Sequence, residues 1–495
     1  MVQIIIILAY FAIIVVVGVL AQRRTKTGEA FLGTQLGVFA IVAASTGEWL
    51  GGTSTTGVSE YAFNSGISGA WYTIANGIGV FFLASCFAKL YRSLNEITIN
   101  GIVEKFFGAR TRIVSAIILT IVMLAVGLSQ MIAAGKLGES LVGINFSVSV
   151  IFFLIVFVVY TLAGGMNAVT STNKIHLFVM YGGVIVGLVY AVHQLGGWGD
   201  FTDGIHQIEQ RLASEGTEVR FFNWLTIGTP KVSSWIIASL LGACTAQAGL
   251  QPVLAARDVH TARKASYLTA ICTAPFGIIT ALLGMAARVQ SEHGNLLDMA
   301  GSNVTEAKLA LPTLMMNMPP IIGGIVLASI LAAILSTVSP IILAAGTMIS
   351  KDVYQRAIKK DATDRQLLTM TRILTAISGV ICAVGAIALV NLQAVLDIVY
   401  TAYSMRGSLF IVLLLGIFWK KASTRGAIVG MIVTAVAAVT WKVVQMSTGH
   451  YPISDIITET YAAVICAFFV TLIFSLILPG RSVDELPERK AKVME

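Results

Sequence analysis

The sequence predicts an all-α integral membrane protein of about thirteen transmembrane helices, built as two inverted five-helix repeats (spans 2–6 and 7–11) whose first helices are broken. Three observations carry this expectation. The 495 residues are 56% hydrophobic and only 12% charged, about half the charged share of a soluble domain. Between Lys308 and Lys351 there is no Asp, Glu, Lys, Arg or His, which is more than the ~20 apolar residues one span requires. Two apolar runs, five spans apart, are interrupted by glycines, hydroxyls and amides.

Taken in order, apolar segments of spanning length fall at about 3–21, 35–60, 67–89, 113–135, 146–166, 175–196 and 232–256, then at 265–287, 312–348, 373–391, 394–418, 424–445 and 460–479. The first has no charge before it and Arg23-Arg24 after it. A secretory signal carries its positive charge first, so this run reads as a span with its N-terminus outside. Cytoplasmic loops are expected to hold the Lys and Arg residues. In the out-to-in orientation most of them do, including Lys89 to Arg112, Arg257 to Lys264 and Lys351 to Arg372. The predicted organisation is therefore 1–34 (first span and cytoplasmic loop), 35–196 (first repeat), 197–231 (external loop), 232–419 (second repeat), 420–480 (two additional spans) and 481–495 (cytoplasmic tail).

The second span contains Ser45-Thr46-Gly47-Glu48-Trp49-Leu50-Gly51-Gly52-Thr53-Ser54-Thr55-Thr56-Gly57, whose four glycines weaken a continuous helix. The seventh contains Gly242-Ala243-Cys244-Thr245-Ala246-Gln247-Ala248-Gly249-Leu250-Gln251-Pro252. Irregular backbone at membrane depth survives only where it is buried in protein or lines a cavity. An odd spacing of five spans inverts the second half relative to the first. Paired interruptions of this kind point to a secondary transporter with its site at the midplane.

Other classes find no support. The net charge of +8 is spread between apolar segments, which argues against a nucleic-acid partner. Cys86, Cys244, Cys272, Cys382 and Cys466 lie in apolar stretches without metal or disulfide spacing. There is no nucleophile elbow, zincin motif, P-loop or cofactor fingerprint, so the chain is not expected to be an enzyme or an ATP-driven pump. An ion channel is the rival from another class, because broken helices also line selectivity filters; a transporter coupled to protons is the other alternative. No obligate protein partner is evident.

Within the long apolar stretch, Ser336-Thr337 follows Ala332-Ala333-Ile334-Leu335. Adjacent hydroxyls supply hard oxygen ligands to a small cation, or bond back to their own helix. Both readings stand on these residues alone.

Several motifs together resemble the sodium:solute symporter family, over about residues 3 to 425. They are Tyr160-Thr161-Leu162-Ala163-Gly164-Gly165-Met166 with Ala168-Val169, Gln247 and Gln251 leading into Leu254-Ala255-Ala256-Arg257 and Ala262-Arg263, and Ala332 to Thr337. The resemblance implies the five-plus-five inverted-repeat fold shared with the leucine transporter. It also implies a plasma-membrane symporter that imports a small organic solute with Na+ as coupling ion. Carried over, the sodium ligands are the Ser336 and Thr337 hydroxyls and the Ala333 carbonyl, with carbonyls near Gly47 and Leu50 from the second span. The family's Thr-Asp is Thr172-Asn173 here. Loss of that carboxylate removes a charge favouring a second cation, so one sodium per substrate is expected. His176 reads as an interfacial helix-end residue, with a proton-relay role as the lesser alternative.

Substrate is expected where the broken helices face each other, with Thr53, Ser54, Asn76, Thr245, Gln247 and Arg406 as candidates. Trp49 and Tyr72 are candidates to stack on it or to pack. The residues that bind sugar in sugar-transporting relatives do not recur, and the acidic position on the third span is Thr73, so a sugar is not favoured. Arg406 is the only Lys or Arg well inside a predicted span. Arginine at mid-bilayer needs a partner or a wet cavity. Two partners are open: an ion pair with Glu48, or a carboxylate on the substrate, which a guanidinium grips with two parallel hydrogen bonds.

Overall fold

The computed structural model describes residues 2–22, 35–391 and 395–478, leaving aside the side chains of 19, 21–22 and 163–168. The expected Arg23, Arg24 and Lys26 loop, the Gly164-Gly165 pair and the tail from 481 lie outside this description. The described chain is almost wholly helical: α1 Val2–Gln22, α2 Val38–Trp49, α3 Val58–Ser65, α4 Trp71–Phe82, α5 Ala88–Ser93, α6 Ile99–Phe107, α7 Ala109–Val142, α8 Phe146–Gln194 and α9 Trp198–Ser214. There follow α10 Thr229–Ala243, α11 Gln247–Leu254, α12 Val259–Thr273, α13 Phe276–Glu292, α14 Ala307–Met316, α15 Pro320–Met348, α16 Asp364–Leu389, α17 Val395–Phe418, α18 Thr424–Thr448 and α19 Glu459–Ile477.

Ten helical stretches among the described residues are long and apolar enough to cross a membrane, and four shorter apolar helices accompany them. Together they overlap each of the thirteen expected segments, with shifted boundaries. The predicted 312–348 span begins too early: α14 ends before Pro319-Pro320, and the second proline opens α15 at its first turn, where its missing N–H costs nothing. The predicted loop 197–231 contains α9, an amphipathic helix outside the spans. Predicted spans 5 and 6 share one helical assignment, α8, yet the Tyr160 hydroxyl meets the Thr172 hydroxyl at 2.5 Å. Twelve residues of straight helix would separate them by about 18 Å, so the chain bends sharply between them. Side-chain caps start several helices: Thr98 on α6, Asn145 on α8, Asp258 on α12, Ser423 on α18, and a Thr363/Gln366 capping box on α16.

The breaks fall where glycine and hydroxyl density predicts them. α2 ends at Leu50 (φ −107°, ψ 61°), and a π-helical turn, Thr53–Gly57, resumes the span. The Thr55 and Thr56 hydroxyls donate to the Gly52 carbonyl at 3.1 and 2.7 Å, supplying bonds that the widened backbone lacks. The second break, Cys244–Ala246, separates α10 from α11. The two broken spans meet each other: Leu36 N–H donates to Ala255, Arg257 N–H donates to Leu36, and the Ser45 hydroxyl donates to the Gly249 carbonyl at 3.0 Å. Around them α7, α8, α15 and α17 complete a buried core. Ile5, Leu8, Phe152, Val159, Phe178, Val384 and Ile473 face outward, a surface suited to lipid tails.

Candidate functional site

Two clusters form at the breaks, and the last turn of α2 contributes to both. The first is built of neutral oxygens. On α15 the Thr337 hydroxyl donates to the Gly47 carbonyl at 2.6 Å, and the Ser336 hydroxyl lies 3.0 Å from the same carbonyl and 2.9 Å from that of Ala333. All four residues are buried. Four expected sodium ligands are thus together, and Leu50 lies buried at the end of the same turn. Small residues allow this approach: a Cβ on Gly47 would lie 3.2 Å from Ser336 Cβ and 2.6 Å from Asn173 Nδ2. An oxygen cage with no fixed charge suits a monovalent cation better than a divalent one.

Asn173 adjoins this cluster. Its Nδ2 donates to the Ser336 and Ala44 carbonyls at 3.4 and 3.5 Å. An amide N–H therefore faces carbonyls there, where a carboxylate would attract a cation. His176 departs from expectation: it is fully buried, and its Nδ1 is hydrogen-bonded to the Tyr10 hydroxyl. The predicted span began at 175 and put it at a helix end, whereas α8 continues through it and α1 covers it.

Gln130 on α7 was not among the expected site residues. Its Oε1 accepts from Gly52 N–H at 2.6 Å and its Nε2 donates to the Thr53 hydroxyl at 2.6 Å. The first break thus has its freed backbone N–H satisfied by a side chain from another helix. A signal existed: Gln130 is an amide in an otherwise apolar run, the same signal that singled out Asn76.

The second cluster centres on Arg406 of α17, which is fully buried. Its guanidinium lies over the Tyr403 ring at 3.8 Å and over Trp49 at 5.3 Å. None of its three nitrogens has a hydrogen-bond partner among the described residues. Glu48 lies close enough for its carboxyl to feel the Arg406 charge, though no hydrogen bond joins the two and Glu48 Oε2 has no hydrogen-bond partner among the described residues. Both groups border the glycines of the second break. A Cβ on Gly242 would lie 3.0 Å from Arg406 Nε, and one on Gly249 would lie 2.8 Å from Glu48 Oε2. Tyr72 joins this wall, its hydroxyl 3.3 Å from that of Tyr403, and Trp235 stacks on Tyr400 at 4.4 Å.

The remaining candidates divide. Asn76 is buried, and neither end of its amide has a hydrogen-bond partner among the described residues. Thr245 donates to the Arg406 carbonyl at 2.7 Å and so holds α17 against the break. Thr53 is bonded to Gln130 and Ser129, and Ser54 donates to Gly51 at 2.7 Å. Gln247 accepts from Ile99 N–H at 2.9 Å and donates to Ile97 at 3.3 Å, tying α11 to the start of α6. These four side chains have partners within the protein, as polar groups beside broken backbone generally do.

Residues 31–434 match the model of the sodium:solute symporter family. The chain is 26% identical to the high-affinity proline transporter of Bacillus subtilis, over 92% of this chain and 95% of that one. It is also 26% identical to the sodium/glucose cotransporter of Vibrio parahaemolyticus, over 93% and 88%. Among solved structures, a Na+-coupled sialic acid symporter in a substrate-bound outward-open state superposes with a TM-score of 0.76. It covers 96% of this chain and 98% of that one at 19% identity, a likeness of fold.

Proposed function

This chain belongs to the sodium:solute symporter family, and from that premise we propose that it imports a small carboxylate-bearing solute together with one sodium ion by alternating access. The observation that carries the carboxylate is Arg406, a buried guanidinium whose nitrogens have no hydrogen-bond partner among the described residues. A buried donor without a partner is costly, and a planar carboxylate offers it two parallel charge-assisted bonds. Glu48 Oε2 on the facing helix supports a cationic group at the other end of the solute, as in a zwitterionic amino acid; the proline named for one relative has that charge pattern. Asn76 is a neutral contact for the same solute.

Sodium is held by the Gly47, Leu50 and Ala333 carbonyls and the Ser336 and Thr337 hydroxyls. Gly47 is followed directly by Glu48 and Trp49, so one helical turn carries a sodium carbonyl and the wall of the solute site. Ordering that turn around the ion preorganises the wall, and linkage makes solute binding strengthen sodium binding equally. The Asn173 amide, directed at carbonyls, supports a stoichiometry of one.

Proteoliposomes loaded by a sodium gradient test this reading. Amino acids should be taken up with a sodium Hill coefficient near one, and their methyl esters and sugars should not compete. Equal competition by esters removes the carboxylate grip, and a flux ratio of two removes the single-ion assignment.

A further inference from the structure

A cavity of about 590 Å³ opens at the end of the bundle carrying the α5–α6 turn, the start of α7 and the π-helical segment Ile349–Ile358. This volume is in the range of small-ligand sites. Its wall holds Arg110, Arg112, Lys351, Arg356 and Lys360 with a single carboxylate, Glu96. That carboxylate is already paired with Lys105 at 3.2 Å.

Behind the wall lies a knot of ion pairs. Arg112 bridges Asp352 at 2.6 Å and Glu104 at 2.5 Å, and Arg356 reaches Glu104 at 3.2 Å. Asp352 is fully buried and also accepts from Asn100 at 2.8 Å and Thr98 at 3.3 Å. Glu104 and Asp352 are therefore committed to the knot, and Asp361 and Asp364, which follow Lys360 in the chain, do not line the cavity. Arg110 and Lys360 are exposed and form no ion pair with a described residue. Asn95, Thr98 and Gln355 add uncharged polar groups to the same wall.

We propose that this cavity is a binding site for a phosphate group, gripped chiefly by Arg110 and Lys360, with Arg356 at its edge. Guanidinium and ammonium groups converging on one concavity favour a multiply charged, multi-acceptor anion over chloride. Two sources carry that chemistry, an anionic phospholipid headgroup and a soluble phosphate. The bound anion would bridge α7, through Arg110, and the turn after the Ile349–Ile358 segment, through Lys360, on the outer side of the Arg112 knot and so hold those elements together.

The full-length protein in dodecyl maltoside is titrated with dioleoylphosphatidylglycerol in mixed micelles in one arm and with inorganic phosphate in another. Dioleoylphosphatidylcholine and sodium chloride of matched ionic strength are the controls, and thermal unfolding is followed. Ligand that binds only the folded state raises the melting temperature. The expected result is a rise above control in at least one arm, with a midpoint shifted about tenfold or more upward in Arg110→Gln/Lys360→Gln, which removes both chief cations of the grip. A rise in the lipid arm alone identifies a headgroup; a rise with inorganic phosphate identifies a soluble anion. No rise above control in either arm, or an unchanged midpoint in the double variant, overturns the proposal. Both substituted side chains are exposed, and sodium-driven uptake by the variant confirms that it is folded.

Discussion

The two helix breaks solve the same problem in opposite ways. At the first, backbone groups are satisfied both by hydroxyls of the same span and from other helices: Ser54, Thr55 and Thr56 bond the Gly51 and Gly52 carbonyls, Gln130 caps the Gly52 N–H, and the α15 hydroxyls bond to Gly47. Gly51 and Gly52 are packed so closely that a Cβ on either would lie within 3 Å of a neighbour, Gln130 or Thr337 for the one and Ala133 for the other. At the second, the glycines border the side chains of Arg406, Glu48 and Trp49, and the Arg406 nitrogens and Glu48 Oε2 lack hydrogen-bond partners among the described residues. A neutral oxygen cage and an unsatisfied charged wall call for different ligands. In the proposed function the first takes the sodium ion and the second the organic solute.

The largest effect is expected at the second break. Arg406→Gln should lower substrate affinity by roughly 100-fold, the order of losing a buried charged partner, with the sodium-induced rise in melting temperature retained. Arg406→Lys should do almost as much damage, since an ammonium cannot reproduce the fork. If sodium stabilisation disappears together with substrate affinity, the two breaks are not functionally separable and the comparison fails.

The reciprocal change comes next. Thr337→Ala and Ser336→Ala should each raise the sodium concentration for half-maximal uptake by about tenfold. Substrate affinity at saturating sodium should stay within about threefold of the parent. Wild-type sodium activation in both variants would remove the oxygen cage from the mechanism.

Gln130→Leu sharpens the structural side. It leaves the Gly52 N–H buried without its acceptor, which should cost about 1–3 kcal/mol of stability. Chemical denaturation in detergent should register that loss, and sodium affinity should fall with it. Stability equal to the parent would mean that another group satisfies this N–H.

The smallest effect is expected for Gly249→Ala, whose methyl would press on Glu48 Oε2 and the Trp49 ring. Substrate affinity should drop by about threefold to tenfold, because overpacking of this order costs about 1 kcal/mol or more. Sodium activation should be unchanged in the same uptake assay.

Much of this arrangement was legible in the sequence because membranes impose strict rules. Lipid offers no hydrogen bonds, so apolar length marks spans, and glycine-hydroxyl runs mark the places where backbone leaves the helix. Ser336 and Thr337 stood out because hydroxyl pairs are conspicuous on an apolar helix. The Thr53, Ser54 and Gln247 side chains, singled out by the same rule, are hydrogen-bonded within the protein. A polar side chain at a break is as readily used to satisfy the break as to meet a ligand, and composition does not distinguish the two. Gln130 was overlooked because it lies on a span with no break of its own, although its partner is one. His176 was misplaced because the start of its span was read from hydropathy, which does not register the helix continuing through it.

What the sequence determined by itself is the solvent this chain lives in, the position of its two breaks and the kind of ligand atom available at the first, all of which depend on residues near one another along the chain. Tertiary structure decided which polar groups remain without partners. That Arg406 stacks on Tyr403 and Trp49 with Glu48 near enough to feel its charge depends on how α2, α10 and α17 cross. Those crossings follow from the summed packing of many small side chains, and no local stretch of sequence contains that sum.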